Sequence, residues 1–313
     1  AIQETSDLPY ASTTPGKMHA CGHDGHTTCL VGAVKVLADM RDQLPGPVRF
    51  VFQPAEEGGG GGGRMCEEGV LEGVRAIFGL HGWPYLKQGE LGVRTGPFLA
   101  SSDRFQIVIE GQGAHAAFPH QGLDPVPIAA QIILALQTIA SRQTDPLDAV
   151  VVTVAQVHGG SADNIISAQI ELRGTLRSLL STTRTAAMTR IEQIAKGIAS
   201  AHGARAQVTI TKGTPVLAND ADATRFGQQI AELASLTAVD MDPVMGGEDF
   251  AFYAERIPAA FFALGVRPAD RETYPALHQS DYDFPDAAIA SGVALHVQLA
   301  RLFWSDATDL SNG

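Results

Sequence analysis

The chain of 313 residues is 45% hydrophobic and 18% charged, an ordinary globular balance whose length favours two domains over one. Its net charge of −12, with no run of Lys or Arg, argues against nucleic acid and anionic membrane surfaces and leaves small molecules as partners. Three cysteines (Cys21, Cys29, Cys66) are too few for a disulfide framework and point to a reducing compartment, most simply the cytoplasm; no apolar run reaches membrane-spanning length.

Near the N-terminus "MHACGHDGHTT" (18 to 28) gathers His19, Cys21, His23 and His26 around Asp24. The next stretch, "TTCLVGAVKVLADM" (27 to 40), spaces Val31, Val34 and Leu37 as an amphipathic helix with Asp24 as candidate N-cap, so the cluster sits where a loop enters a helix. "PVRFVF" (47 to 52) and "AIFGLHG" (76 to 82) read as strands, separated by the tract Gly58 to Gly63 and a helix around 64 to 72. This alternation predicts a mostly parallel α/β sheet with site residues at strand ends. From about residue 100 the order becomes strand (104 to 111), helix (125 to 142), strands (148 to 157 and 168 to 178), helix (183 to 202) and strand (206 to 213). Such a β-α-β-β-α-β run reads as a ferredoxin-like α+β unit inserted into the first domain. A helix (221 to 235), the turn "MGGEDF", a buried strand (259 to 265) and a closing helix (286 to 303) follow. The expected division is an α/β domain from 1–98 and 214–313 around an insert at 99–213.

Cys21 and His23, two apart, share a face on extended or turn backbone and can reach one metal or an adjacent pair. The bland alternative is a helix-capping loop with solvated histidines. "QPAEE" (53 to 57) tips the balance: neighbours on extended backbone point to opposite sides, so one of Glu56 and Glu57 can hold a metal while the other faces substrate. The glycine run lacks a following Lys-Ser/Thr, which rules out a phosphate loop and leaves close backbone approach as its use. His81 ends an apolar strand, and His278 precedes the last helix; each alone is as readily a packed histidine as a ligand.

"MHACGHDGHT", "QPAEEGGGG", "GLHGWP", "RFQIVIEGQGAHAAFPH", "NIISAQIELRGTLRS", "GGEDFAFY" and "LHQSDYDF" together resemble, in order and rough spacing, the amidohydrolase branch of the M20 metallopeptidases, from Ala1 to about Arg301. That branch holds N-acyl-amino-acid amidohydrolases, hippurate hydrolases and auxin-conjugate hydrolases. The resemblance implies a catalytic α/β domain, an inserted dimerisation (lid) domain, and two divalent ions (zinc, manganese, cobalt or nickel) ligated by Cys21, His23, Glu57, His81 and His278. It further implies that Glu56 is the general base for a hydroxide held by the ions, that His115 reaches the partner subunit's site in a homodimer to hold the oxyanion, and that Asn164 and Arg177 contact substrate. Glu248 matches a position near the metals. His19 and His26 match outer or structural positions, Asp24 orients a ligand or caps the helix, and Cys29 and Cys66 belong to packing. Ser167 stands where relatives commonly carry Pro.

The expected reaction is therefore hydrolysis of an N-acyl-amino acid, against a related dipeptidase or carboxypeptidase, or a metal-binding relative without turnover. A structural zinc site closed by four N/S ligands needs no adjacent base, so the retained Glu56 favours chemistry. In relatives a strand ending in an Asp-Met-Asp-like motif precedes the position of Ala1. A sheet lacking that strand would bare unpaired backbone, and the 313-residue product is expected to be poorly soluble or inactive.

Overall fold

The computed structural model describes residues 1–306. One four-stranded sheet runs in the order Ile77–Lys87, Ala259–Arg267, Glu90–Val93, Thr237–Asp240. The first pair is parallel, from Ile77 opposite Ala259 to Trp83 opposite Gly265, and the last pair is parallel too; the middle pair is antiparallel. Ala259–Arg267 is buried along nearly its whole length, as its unbroken apolar run "AAFFALGV" demands of an inner strand covered on both faces. Helices His23–Asp39, Ala221–Leu233 and Ile289–Asp306 cover this sheet, and Phe226, Ile230, Phe262, Leu264 and Leu295 form the shared core. Asp220 starts the second of these helices by accepting hydrogen bonds from the Asp222 and Ala223 amides.

The second sheet is antiparallel throughout, in the order Val150–Gly159, Gln169–Ser178, Ser102–Glu110, Arg205–Thr214. Alternation along Ser102–Glu110 buries Phe105, Ile107 and Ile109 against helices Pro125–Thr138 and Ser181–Ala201. Asp124 caps the first of those helices, and Pro125 occupies the opening position, where a missing N–H costs nothing. The α/β class with an α+β unit is the one the residue patterns predict; the first sheet, expected to be mostly parallel, is mixed, with two parallel pairings and one antiparallel pairing.

The chain passes between the sheets twice, and the two passages are tied together. Gly96–Leu99 pairs with Leu217–Asn219, and just beyond them Asp103, fully buried, accepts from Arg184 Nη2 at 2.6 Å, Arg184 Nε at 2.8 Å and the Gly213 amide at 3.0 Å. Removing one partner of a buried pair strands the other charge. Arg184→Met is therefore expected to lower unfolding free energy by about 3–5 kcal/mol, read from urea titration. A change below about 1 kcal/mol would show that Asp103 does not depend on this cation.

Several boundaries differ from the sequence reading. The first helix starts at His23, not after the cluster, and its N-cap is Gly22 at φ 83° rather than Asp24. A side chain at Gly22 would meet Phe284 at 2.9 Å, so this left-handed turn excludes a larger cap. Residues 47–52 form no strand, because among the described residues none lies alongside to complete a ladder. Val48, Phe50 and Phe52 instead line, together with Ile77, Phe78 and Leu80, a cavity of about 650 Å³ that also reaches His23, Glu56 and His81. The helix placed at 64 to 72 is Gly61–Glu67 and begins inside the glycine tract. Glu90–Val93, Gly96–Leu99, Leu217–Asn219 and Thr237–Asp240 went unpredicted, being too short to show alternation. Contrary to the sequence reading, Asp286–Trp304 is long and apolar enough to cross a bilayer by length and composition; Leu295 and Leu299 on it pack into the core.

Candidate metal centre

Four separate elements deliver the proposed ligands. Cys21 sits in the turn before the first helix, and His23 is that helix's first residue. His81 lies on Ile77–Lys87, just before regular parallel pairing breaks after Trp83. Glu56 and Glu57 occupy the loop after the extended run 47–53. His278 comes from the loop before the last helix, where its amide donates to the Ala20 carbonyl at 2.8 Å and so docks that loop beside Cys21.

The five side chains converge. Cys21 Sγ is 3.3 Å from His81 Nε2 and 3.3 Å from His278 Nε2. His278 Nε2 is 3.2 Å from Glu57 Oε1, and His23 Nε2 lies 4.0 Å from both Glu56 Oε2 and Glu57 Oε1. Within each of the groups Cys21–His23–His81, Cys21–Glu57–His278 and His23–Glu56–Glu57, the donor atoms lie within 4.8 Å of one another. Cys21, His23 and Glu57 each belong to two of these groups, but the first two groups together hold all five proposed ligands and have Cys21 alone in common, which is the position a ligand shared by two ions would hold.

The donor chemistry fits divalent transition ions: one thiol, three imidazoles and adjacent carboxylates. His81 is set for the task. Its Nδ1–H donates to the Gly82 carbonyl at 2.8 Å, leaving Nε2 with a free lone pair beside Cys21. His26 holds the same residue through its preceding peptide group, its Nε2 accepting the Gly82 amide at 2.8 Å, so it is a support and not a ligand. Backbone strain sits at two site positions: Ala55, next to Glu56, has φ 61°, and His278 has φ 66°. Left-handed geometry costs an L-residue about 1–2 kcal/mol and persists where the surrounding structure enforces it.

Electrostatics point the same way. Burial, reinforced by Glu57 and Asp249, pushes Glu56 up to about 7, and burial together with Glu57 and Glu56 holds the Cys21 thiol well above its usual range. Burial drives His81 down to about 4 and lowers His23 as well. Crowded anions resisting ionisation beside neutral imidazoles form a site that cations would relax.

The remaining predicted residues lie elsewhere. His115 is exposed on the short ribbon Ala114–His115 with Ile165–Ile166, its Nδ1 accepting the Ala117 amide at 3.1 Å. Asn164 borders the same ribbon and its carbonyl accepts the Ala116 amide at 2.9 Å. Arg177 is half-buried on Gln169–Ser178 and donates to the Met245 carbonyl at 3.3 Å, across the junction between the sheets. None of these three belongs to the donor groups above. Glu248, left out of the ligand set, is buried within 4.8 Å of Glu56 and Asp249, and burial followed by the Glu56 charge raises its carboxyl well above the usual range. Its sequence signals are an acidic pair behind a glycine turn and the resemblance, which places position 248 near the metals.

Comparison with known proteins follows the same lines. Residues 2–302 match the model of peptidase family M20/M25/M40. The chain is 44% identical over 265 residues to the N-acetyl-L-cysteine deacetylase of Bacillus subtilis (strain 168), covering 85% of this chain and 64% of that protein. It is 40% identical over 309 residues to the IAA-amino acid hydrolase ILR1-like 4 of Arabidopsis thaliana, covering 97% of this chain and 70% of that one. Among solved structures, the Bacillus subtilis YXEP protein, described as a dinuclear metal binding peptidase from the M20 family, superposes with a TM-score of 0.84 at 36% identity, over 97% of this chain and 78% of its own. A match along nearly the whole chain, with a thiol–imidazole–carboxylate cluster at its centre, decides the matter: the chain belongs to peptidase family M20/M25/M40 and falls in its amidohydrolase branch.

Proposed function

We propose that the chain is a metal-dependent amidohydrolase that cleaves the amide bond of N-acyl-amino acids. The observation that carries this reading is the arrangement of Glu56, a half-buried carboxylate with a raised proton affinity, beside two donor groups that share Cys21. Two divalent ions bound by Cys21, His23, Glu57, His81 and His278 would polarise the amide carbonyl and acidify water. Glu56 takes the proton from the attacking water and returns it to the departing amine. The burial that raises its proton affinity in the metal-free protein also opposes the pull of the cations, so that Glu56 can hold the proton between the two transfers.

His115 and Asn164, presented together on an exposed ribbon away from the cluster, are proposed to complete the site of a second copy in a homodimer formed through the inserted unit. There His115 would donate to the oxyanion, and Arg177 would orient the substrate's carboxylate. Three free cysteines are compatible with a reducing, cytoplasmic setting, where we place the protein.

The relatives named as deacetylase and IAA-amino acid hydrolase support amides of amino acids as the substrate class. A screen of manganese-, zinc-, cobalt- and nickel-loaded protein against N-acetyl-amino acids, hippurate and dipeptides tests the assignment. Release of free amino acid from the N-acyl compounds is expected, with sedimentation showing a dimer. Turnover of dipeptides alone would move the chain to the peptidase side, and metal uptake with no turnover of any of them would reduce it to a binding protein.

A further inference from the structure

We infer that Asp249, with Gln53 and Tyr253, positions the loop bearing Glu56 and Glu57; this rests on the metal-site reading above. Asp249 is fully buried, and its two carboxylate oxygens grip the two ends of that loop. Oδ1 accepts from Gln53 Nε2 at 2.6 Å, before the Glu pair, and Oδ2 accepts the Gly62 amide at 2.9 Å, after it. The Gly62 N–H lies in the first turn of helix Gly61–Glu67 and has no partner within the helix, so Asp249 supplies what the helix cannot. Tyr253, also buried, donates from its hydroxyl to Gln53 Oε1 at 2.7 Å, so both ends of the Gln53 amide are engaged, and the acceptor-only Asp249 carboxylate sets which way that amide faces. The ends also touch directly, since a side chain at Gly61 would lie 1.7 Å from the Pro54 carbonyl oxygen and one at Gly62 would lie 2.6 Å from the Asp249 carbonyl oxygen. Between these fixed ends Ala55 is held at φ 61°, the conformation that places Glu56 and Glu57 on the metal cluster.

The hydrogen-bond directions make the brace testable by exchange of partners. Gln53→Glu sets two carboxylates against each other and breaks the contact. Asp249→Asn is tolerated, because the Gln53 amide can turn so that its oxygen accepts from the new amide, while the Tyr253 hydroxyl accepts the Gln53 amide hydrogen. In the double variant the new amide at position 249 donates to the new carboxylate at position 53, Tyr253 still donates to that carboxylate, and Gly62 still has an acceptor.

Two measurements are needed: hydrogen exchange of residues 54–62 in the metal-free protein, and cobalt affinity by titration. Gln53→Glu is expected to speed exchange of the Gly62 amide by at least about tenfold and to weaken cobalt binding by about 10- to 100-fold. Asp249→Asn and the double variant are expected to stay within about threefold of the parent in both. A double variant no better than Gln53→Glu, or a Gln53→Glu protein with parental exchange and affinity, overturns the brace. Should Gln53→Glu fail to fold, fast exchange in the double variant still overturns it and parental exchange still supports it. If the parent takes up no cobalt but shows the stated exchange pattern, the metal reading fails and the brace stands.

Discussion

Glu56→Gln is expected to keep both metal ions and lose about 10²- to 10⁴-fold in kcat, the usual contribution of a positioned proton shuttle. The same substitution is expected to stabilise the metal-free protein above neutral pH. Glu56 has a folded-state value near 7 against 4.5 for the free side chain, because burial and the neighbouring Glu57 and Asp249 oppose its charge. Below pH 4.5 both states hold the proton and Glu56 contributes nothing to pH dependence. Between 4.5 and 7 the unfolded chain releases it first, so the folded state loses stability as pH rises, and the full penalty is present above 7. Gln carries no such charge. The melting temperature of the metal-free variant should therefore pull ahead of the parent from about pH 4.5 and level off above about pH 7. Saturating metal should close the gap, since cations stabilise the ionised Glu56 of the parent. Near-normal turnover by the Gln variant would remove Glu56 from the chemistry, and a gap that widens toward acid would show that its charge is favoured by the fold.

The contrast between loss of rate and gain of stability bears on what was legible in the sequence. The inserted unit could be read strand by strand because its elements are long: Gln169–Ser178 and Ser181–Ala201 show their periods plainly. The first sheet could be read only in part. Ala259–Arg267 announces itself as an apolar run, but Glu90–Val93 and Thr237–Asp240 owe their strand character to neighbours distant in the chain, and the run 47–52 has no such neighbour among the described residues despite its composition. At the site, residue type and spacing marked out Cys21, His23 and the Glu56–Glu57 pair as metal chemistry. His81 and His278 needed the resemblance, since a lone histidine carries no pattern. Asp249 could not be found by either route, because its role depends on which loop ends the fold brings to its two oxygens.

Cys21→Ala should fall from two bound ions per chain to one or none in elemental analysis, with turnover lost alongside. The thiol is the donor common to the His23–His81 and Glu57–His278 groups, so its removal takes a ligand from both, whereas loss of His81 or His278 takes a ligand from one. A second readout isolates the thiol itself. Burial and the nearby carboxylates keep Cys21 protonated at neutral pH in the metal-free protein, and an ion can bind sulfur only as thiolate. Metal uptake by the parent must therefore expel the Cys21 proton, and a weakly buffered indicator assay should register at least about one proton more per chain than the Ala variant gives when loaded at the same pH, since that variant also binds fewer ions. Full two-ion occupancy in Cys21→Ala would contradict the shared-ligand geometry. Equal proton release from both proteins would mean that the sulfur stays outside the coordination sphere, and the ions would then rest on the imidazoles and carboxylates alone.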